Sequence, residues 1–185
     1  MNKLVTKLTS LMAAVAIAVS FASCDKEEDD DDDYVIWDFG PITVDIQIVD
    51  NKGVDLLSEG SPLHGADFKM LYDNQEFTAN WEKPIEPQAE SRYYMPHLYG
   101  LLARTITIDG KSKNTLYFGE LDGAGKNTYK MTFIEPDGTK HPIVINREVT
   151  TKGYDVYVTQ DASMDGKALN YPNDKGPNLY ITIVK

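Results

Sequence analysis

Apolar and polar residues alternate strictly between positions 42 and 48. Isoleucine and valine occupy positions 42, 44, 46 and 48, and the residues between them are Thr43, Asp45 and Gln47. Since side chains on a strand point alternately to its two faces, this spacing predicts a strand with one face in a core and one in solvent. The strand is expected to end at Asp50–Gly53, a turn in which glycine can take positive φ.

Further strand-like stretches follow at short intervals. They are Phe68–Tyr72, Glu76–Trp81, Arg92–Met95, Leu101–Ile108, Thr115–Leu121, Thr128–Ile134, Lys140–Glu148, Tyr154–Thr159 and Leu179–Val184. Asp-Gly pairs at 109–110, 122–123, 137–138 and 165–166 lie beside these stretches and predict hairpin turns. No stretch shows sustained helical periodicity, so the pattern predicts an all-β fold, a single β-sandwich.

The amino-terminal segment has a different pattern. Lys3 and Lys7 precede an apolar stretch, Leu8–Phe21, whose uninterrupted core runs from Leu11 to Val19. Because a bilayer span needs about 20 apolar residues, this stretch is too short to cross and is typical of a cleaved secretory signal. A buried amphipathic helix is the alternative, but the run is apolar all round and ends in a block of charge.

The residues that end this segment, Phe21-Ala22-Ser23-Cys24, resemble a lipobox, at which bacterial lipoprotein signal peptidase cuts before a lipid-modified cysteine. The resemblance implies a signal peptide over residues 1–23 and acyl chains on Cys24. Each buried CH₂ contributes about 0.8 kcal/mol, so two or more chains give a lasting membrane anchor. Cys24 is also the single cysteine, which excludes an intrachain disulfide.

An acidic run follows the cysteine. Its first residues are Asp25, Lys26, Glu27, Glu28 and Asp29, and it continues to Asp33. It resembles the export signal of surface lipoproteins in Gram-negative gut anaerobes, which implies transfer to the extracellular side of the outer membrane. The same run also fits a solvated, self-repelling tether of roughly 30 Å, and the two interpretations are compatible. We therefore expect a lipidated cysteine and tether over 24–33 and a soluble domain over 34–185.

Charge is concentrated in this tether. The formal net charge of the chain is -11, of which residues 25–33 carry -7, while residues 34–185 hold 21 acidic against 15 basic residues. An acidic surface repels phosphate backbones, so nucleic acid is not an expected partner.

Parts of the domain resemble known families. The segment Ile42–Leu57 is similar to the first hairpin of immunoglobulin-like and transthyretin-like sandwiches, such as carboxypeptidase regulatory-like domains. The run Phe-Gly-Glu-Leu-Asp-Gly at 118–123, the Asp137-Gly138-Thr139 hairpin and the terminal run at 181–185 resemble uncharacterised anaerobe lipoproteins. This resemblance implies a fold and a location, but no activity.

Motifs for catalysis are weak. His64, His97 and His141 lack paired metal-ligand spacing, no Gly-x-Ser-x-Gly elbow occurs, and the thiol is expected to carry lipid. The glycine-rich run 123–128 departs from a phosphate-binding loop and is expected to be a hairpin loop. A glycosidase would need two paired carboxylates, which the sequence alone does not identify. We predict no enzyme activity, no cofactor and no metal site.

Aromatic residues give the one candidate binding surface. Trp81 precedes a Pro-bounded loop, and Tyr94 and Tyr99 flank Pro96, so all three are expected near strand ends, where binding residues collect. Adjacent strand residues face opposite ways, so Tyr93 and Tyr94 are not both core residues. The alternative is that these rings are core and corner aromatics of the sandwich.

These patterns predict a surface-exposed, lipid-anchored protein whose domain is a non-catalytic binding or structural module for a glycan or protein. One alternative is a small surface hydrolase, marked by a concave pocket with convergent carboxylates or histidines. The other is a subunit of a surface polymer, marked by a first or last strand that packs poorly in the monomer.

Overall fold

The structure of the chain is a computed structural model that describes residues 40–82, 97–108, 110–152, 155–169 and 178–185. Within these ranges the regular structure is β-strand. The strands are β1 (Ile42–Val49), β2 (Lys69–Tyr72), β3 (Gln75–Thr78), β4 (Gly100–Ile108), β5 (Lys111–Leu121), β6 (Lys126–Ile134), β7 (Lys140–Lys152), β8 (Asp155–Met164), β9 (Lys167–Ala168) and β10 (Asn178–Val184). In the same ranges, no helix has the length and hydrophobicity that crossing a membrane requires.

The strands form two sheets that pack face to face. One has the order β10-β1-β5-β4 and the other β3-β2-β6-β7-β8-β9. Among the described strands, β1 pairs with β10 in parallel and the other neighbouring strands pair antiparallel. The core between the sheets contains stacked Phe68 and Phe133, 5.5 Å between ring centroids, and Phe118. The predicted all-β sandwich is confirmed.

The first strand differs from its prediction, because β1 is buried on both faces. Its isoleucines and valine lie in the core, as expected, but the polar side chains on the other face are covered as well. Arg104 binds Asp45, the Tyr180 hydroxyl donates to the Gln47 side chain, and Thr43 donates to Asn178. Alternation alone does not reveal that neighbouring strands cover a polar face.

Most of the predicted turns are confirmed. The Gly53 N–H donates to the Asp50 carbonyl, and Gly53 has a φ of 81°. The Asp137-Gly138 pair joins β6 to β7 and Asp165-Gly166 joins β8 to β9, in both cases between neighbouring antiparallel strands. Ile108 pairs with Lys111, so β4 and β5 are neighbouring antiparallel strands as well, while Asp109 lies outside the described residues.

The prediction of a hairpin at Asp122-Gly123 is wrong. Asp122-Gly123 joins β5 to β6, and these strands belong to different sheets, so the run 123–128 contains a crossover and not a hairpin loop. A Cβ on Gly123 would lie 2.7 Å from the Gly40 carbonyl oxygen, so glycine permits the close approach of two backbones where the chain changes sheet. The Arg147 side chain then donates to the Gly123 carbonyl.

Candidate functional site

Trp81, the first of the predicted binding aromatics, is half-buried just after β3. Its indole N–H donates to the Ala66 carbonyl at 3.0 Å. Its ring lies edge-on to His64, with 5.0 Å between centroids, and 6.5 Å from Phe68. Contacts with residues 64–68, just before β2, therefore hold the Trp81 side chain in place.

A small cavity of about 170 Å³ lies beside Trp81, lined also by Leu57, His64 and Asn114. Its polar side chains are engaged within the fold. His64 Nδ1 lies 3.0 Å from the Leu57 carbonyl, and the Asn114 amide donates to Asp55 and accepts from Thr105. The cavity is thus a packed corner of the sandwich.

Tyr99 lies in a different place. It precedes β4, and its ring is edge-on to His97 at 4.9 Å. The bridge between Asn80 and Leu102 sets Trp81 beside the following residue of β4, four positions from Tyr99. At about 3.3 Å per residue, that is roughly 13 Å. Trp81 and Tyr99 therefore do not form one continuous platform.

The remaining predicted site residues lie outside the described residues. They are Tyr94, Cys24 and the acidic run 25–33. Lipidation at Cys24 and export through the acidic run stay predictions, as does a role for Tyr94.

His141 lies at the centre of a charged cluster where the β6–β7 and β8–β9 hairpins meet. Its two ring nitrogens each lie 2.8 Å from a carboxylate, Nδ1 from Asp165 and Nε2 from Glu135. Lys185 also reaches Glu135, at 2.5 Å. Burial alone would lower the pKa of His141, but the hydrogen bonds to Asp165 and Glu135 outweigh it and raise that pKa. Since both nitrogens serve the two carboxylates, neither is left to accept a proton from a substrate.

A second charged cluster lies on the outer face of the four-stranded sheet. Asp45 accepts hydrogen bonds from Arg104 at 2.9 and 2.5 Å and from Thr115 at 2.8 Å. The Arg104 guanidinium also lies 3.9 Å from the centre of the Tyr117 ring. Burial raises the pKa of the Tyr117 hydroxyl, and nearby Glu120 adds to the effect. These contacts stabilise the sheet and occupy the acceptor atoms of the buried carboxylate.

Neither cluster is arranged as a metal centre. Across the described ranges, no three His, Cys, Asp or Glu side chains are grouped to hold a metal ion. A depression of about 660 Å³ is an open trough on the outer face of the six-stranded sheet, lined by Leu71, Lys130, Thr132 and Pro142 among others. Asp73 is the one carboxylate among its described lining residues.

Among the described residues, exposed apolar side chains cluster at the far end of the β7–β8 pair. These strands remain paired from Ile143↔Met164 to Lys152↔Asp155, whereas β6 stops opposite Glu148. Apart from a hydrogen bond from the Val149 N–H to the Gly125 carbonyl, residues 149–152 and 155–158 extend past β6 as a two-stranded ribbon, called the arm below. Val156, Tyr157 and Val158 are 36%, 53% and 49% exposed there.

The arm continues the inner face of the sheet. Arg147 and Gln160 form the last buried pair on this face, and the next pair is Val149 opposite Val158. Side chains two residues apart lie on the same face, so these valines extend the face that packs the core into solvent. The predicted strand Tyr154–Thr159 falls on β8, but nothing in the sequence shows that β7 and β8 extend past β6.

Comparisons of this chain with protein-family models, with curated proteins and with solved structures gave no match, so its role is inferred from its own residues and geometry.

Proposed function

We propose that this protein is a lipid-anchored outer-membrane protein, facing the cell exterior, whose β-sandwich is a non-catalytic module that binds a protein partner through the arm. The observation that carries the proposal is the exposure of Val156, Tyr157 and Val158 at the end of a strand pair. The resemblance to surface lipoproteins supplies the location, through Cys24 and the acidic run.

Without a binding partner, the arm would lower the stability and the solubility of the domain. A two-stranded ribbon is marginal by itself in water, and exposed apolar strands invite association. Exposed aliphatic and tyrosine side chains are typical of protein interfaces, and here the two valines lie on one face of the ribbon and Tyr157 on the other. A partner that covers these side chains would stabilise the ribbon and bury apolar surface in one step.

A binding role fits the charged groups better than hydrolysis does. A hydrolase needs carboxylates or a histidine free to exchange protons with a substrate. In both charged clusters those atoms are already engaged, His141 by two carboxylates and Asp45 by Arg104 and Thr115. These engagements favour structural roles for the polar side chains.

A protein ligand fits better than a glycan. Sugar recognition favours an open aromatic platform, whereas the Trp81 indole is hydrogen-bonded to Ala66 and its ring packs on His64 and Phe68. The polymer-subunit alternative has less support, since the first and last strands are both well packed: Ile42 in β1 and Ile181 in β10 are buried.

Site-specific photo-crosslinking on intact cells tests the proposal. The full chain would carry p-benzoylphenylalanine at position 157 in the arm or, as a control, at position 184, where Val184 is 64% exposed on β10. We expect a discrete protein adduct from position 157 only. Val158→Lys should abolish this adduct, and the matched Val184→Lys should preserve it. Equal adducts at the two positions, no adduct at 157, or an adduct that survives Val158→Lys would contradict the proposal.

A further inference from the structure

Within the described ranges, no strand pairs with the outer edge of β8 along residues 155–161. The short strand β9 pairs only with Ser163 and Met164, so in the part of the chain that the structure describes, residues 155–161 pair with β7 alone. In an antiparallel pair, alternate residues direct both their N–H and C=O groups to the same side. The question is which residues of β8 face outward.

Two hydrogen bonds fix this alternation. The Asp165 N–H donates inward to the Pro142 carbonyl, and the Ala162 carbonyl accepts outward from the Leu169 N–H. Counting back two residues at a time from Ala162, the groups of Gln160, Val158 and Val156 face the open edge. This edge matches the spacing that an added strand requires.

The side chains along the edge have two distinct chemistries. The inner-facing row contains Val158 and Val156, which are exposed and aliphatic. The outer-facing row consists of Asp155, Tyr157, Thr159 and Asp161, all exposed, so a carboxylate lies at each end of the row. A strand added here would place alternate residues beside the valines and the residues between them beside the outer-facing row, with a carboxylate at each end of that row.

A second copy of this chain fits the edge poorly. Two-fold antiparallel pairing about Val158 would set Asp155 of one copy opposite Asp161 of the other, and like charges opposite each other are destabilising. The two domains would also carry equal net negative charge, with 21 acidic against 15 basic residues in 34–185. Opposite charge, by contrast, would be favourable at the same positions.

We propose that the arm binds an extended segment of another protein by strand addition to β8, and that this segment alternates aliphatic with basic residues. This inference rests on the proposed binding role of the arm. It adds a backbone register, through Val156, Val158 and Gln160, and a side-chain pattern for the partner.

Proline tests the register, because Val158 directs its N–H away from β7. Val158→Pro removes an outward donor and leaves the β7 ladder intact, and proline is tolerated on edge strands. Val158→Ala keeps the donor and shortens the side chain, which makes it the matched control. The probe is a fluorescent nine-residue peptide of alternating valine and lysine, measured by anisotropy against the full chain in detergent. Companion peptides replace lysine with glutamate or carry N-methyl groups on alternate amides.

We expect the lysine peptide to bind at least tenfold more tightly than the glutamate peptide, and less tightly as salt rises. Val158→Pro should weaken binding of the lysine peptide at least tenfold relative to Val158→Ala. N-methylation of the peptide should weaken its binding to the wild-type chain by a similar factor, which tests the register even where the proline variant does not fold. Strand addition would be overturned by equal affinities of the Val158→Pro and Val158→Ala variants together with no effect of N-methylation. The partner's side-chain pattern would be overturned by equal affinities for the two peptides, or by no binding of the lysine peptide to the wild-type chain. A dimer of this chain that Val158→Pro disrupts would overturn the choice of another protein as the partner. A photo-adduct at 157 that survives Val158→Pro would leave the proposed function standing and remove strand addition alone.

Discussion

Replacing Arg104 with methionine removes the positive charge that binds Asp45 on the outer face of the four-stranded sheet. The Asp45 carboxylate then stays buried and keeps the hydrogen bond from the Thr115 hydroxyl. Breaking a fully buried pair costs about 3–5 kcal/mol. The Arg104 side chain is 29% exposed and that of Asp45 5%, so water screens part of the interaction. We therefore expect a loss of about 2–3 kcal/mol in the free energy of unfolding, given this partial exposure.

Urea unfolding of the full chain, followed by tryptophan fluorescence, measures this loss of free energy. In a separate thermal scan, the melting midpoint should fall by roughly 4–12 °C. The double variant Asp45→Asn/Arg104→Met should be more stable than Arg104→Met, because it leaves no unpaired buried charge. Lys126→Met is the matched control: it removes the exposed Lys126–Glu148 pair and should change stability by less than about 0.5 kcal/mol. A loss below about 0.5 kcal/mol for Arg104→Met as well would refute the argument that this pair allows β1 to be buried on both faces.

Three further perturbations probe other parts of the molecule. His141→Gln should destabilise most at about pH 6 and less at about pH 9. Burial opposes the protonation of His141, but the hydrogen bonds to Asp165 and Glu135 outweigh it and raise the folded-state pKa above the ordinary histidine value. The contribution of His141 is therefore complete below about pH 6.5, the ordinary value that applies to the unfolded chain, and is lost as pH rises through the raised pKa. Urea midpoints at the two pH values measure this, and a constant difference would contradict it. Trp81→Ala should cost about 2–4 kcal/mol, measured by calorimetry, since a half-buried indole loses its packing; an unchanged midpoint would return Trp81 to the list of binding residues. Cys24→Ala should release a folded protein from membranes, because the acyl chains supply the lasting affinity, and mutant protein that still sediments with outer membrane would disprove the lipidation.

Local patterns predicted the fold class well. The alternation at 42–48 and the Asp-Gly pairs depend on neighbouring residues only, and they correctly indicated strands and most hairpins. Asp122-Gly123 failed because the same dipeptide suits any sharp change of direction, and its crossover between sheets depends on the approach of Gly40. Burial on both faces of β1 was missed for a similar reason, since it depends on Arg104, 59 residues away from Asp45.

The candidate site was less predictable than the fold. Sequence position put Trp81 and Tyr99 near strand ends, which is where they lie, but their separation depends on how Asn80 bridges to Leu102. The exposed arm depends on relative strand lengths, namely that β7 and β8 continue past the point where β6 stops. A run of valines and a tyrosine indicates a strand equally well in a core and on a free edge, so the pairing partners decide its role.

Amide hydrogen exchange in the arm tests most directly the claim that β8 offers an open edge to a partner. In the purified full chain, followed residue by residue by NMR, the outward amides of Val156 and Val158 should exchange near the rate of an unstructured peptide. The inward amides of Tyr157 and Thr159, which pair with β7, should exchange more slowly. Slow exchange at Val156 and Val158 as well would mean that the edge is already covered, and would contradict both the binding role of the arm and the addition of a strand.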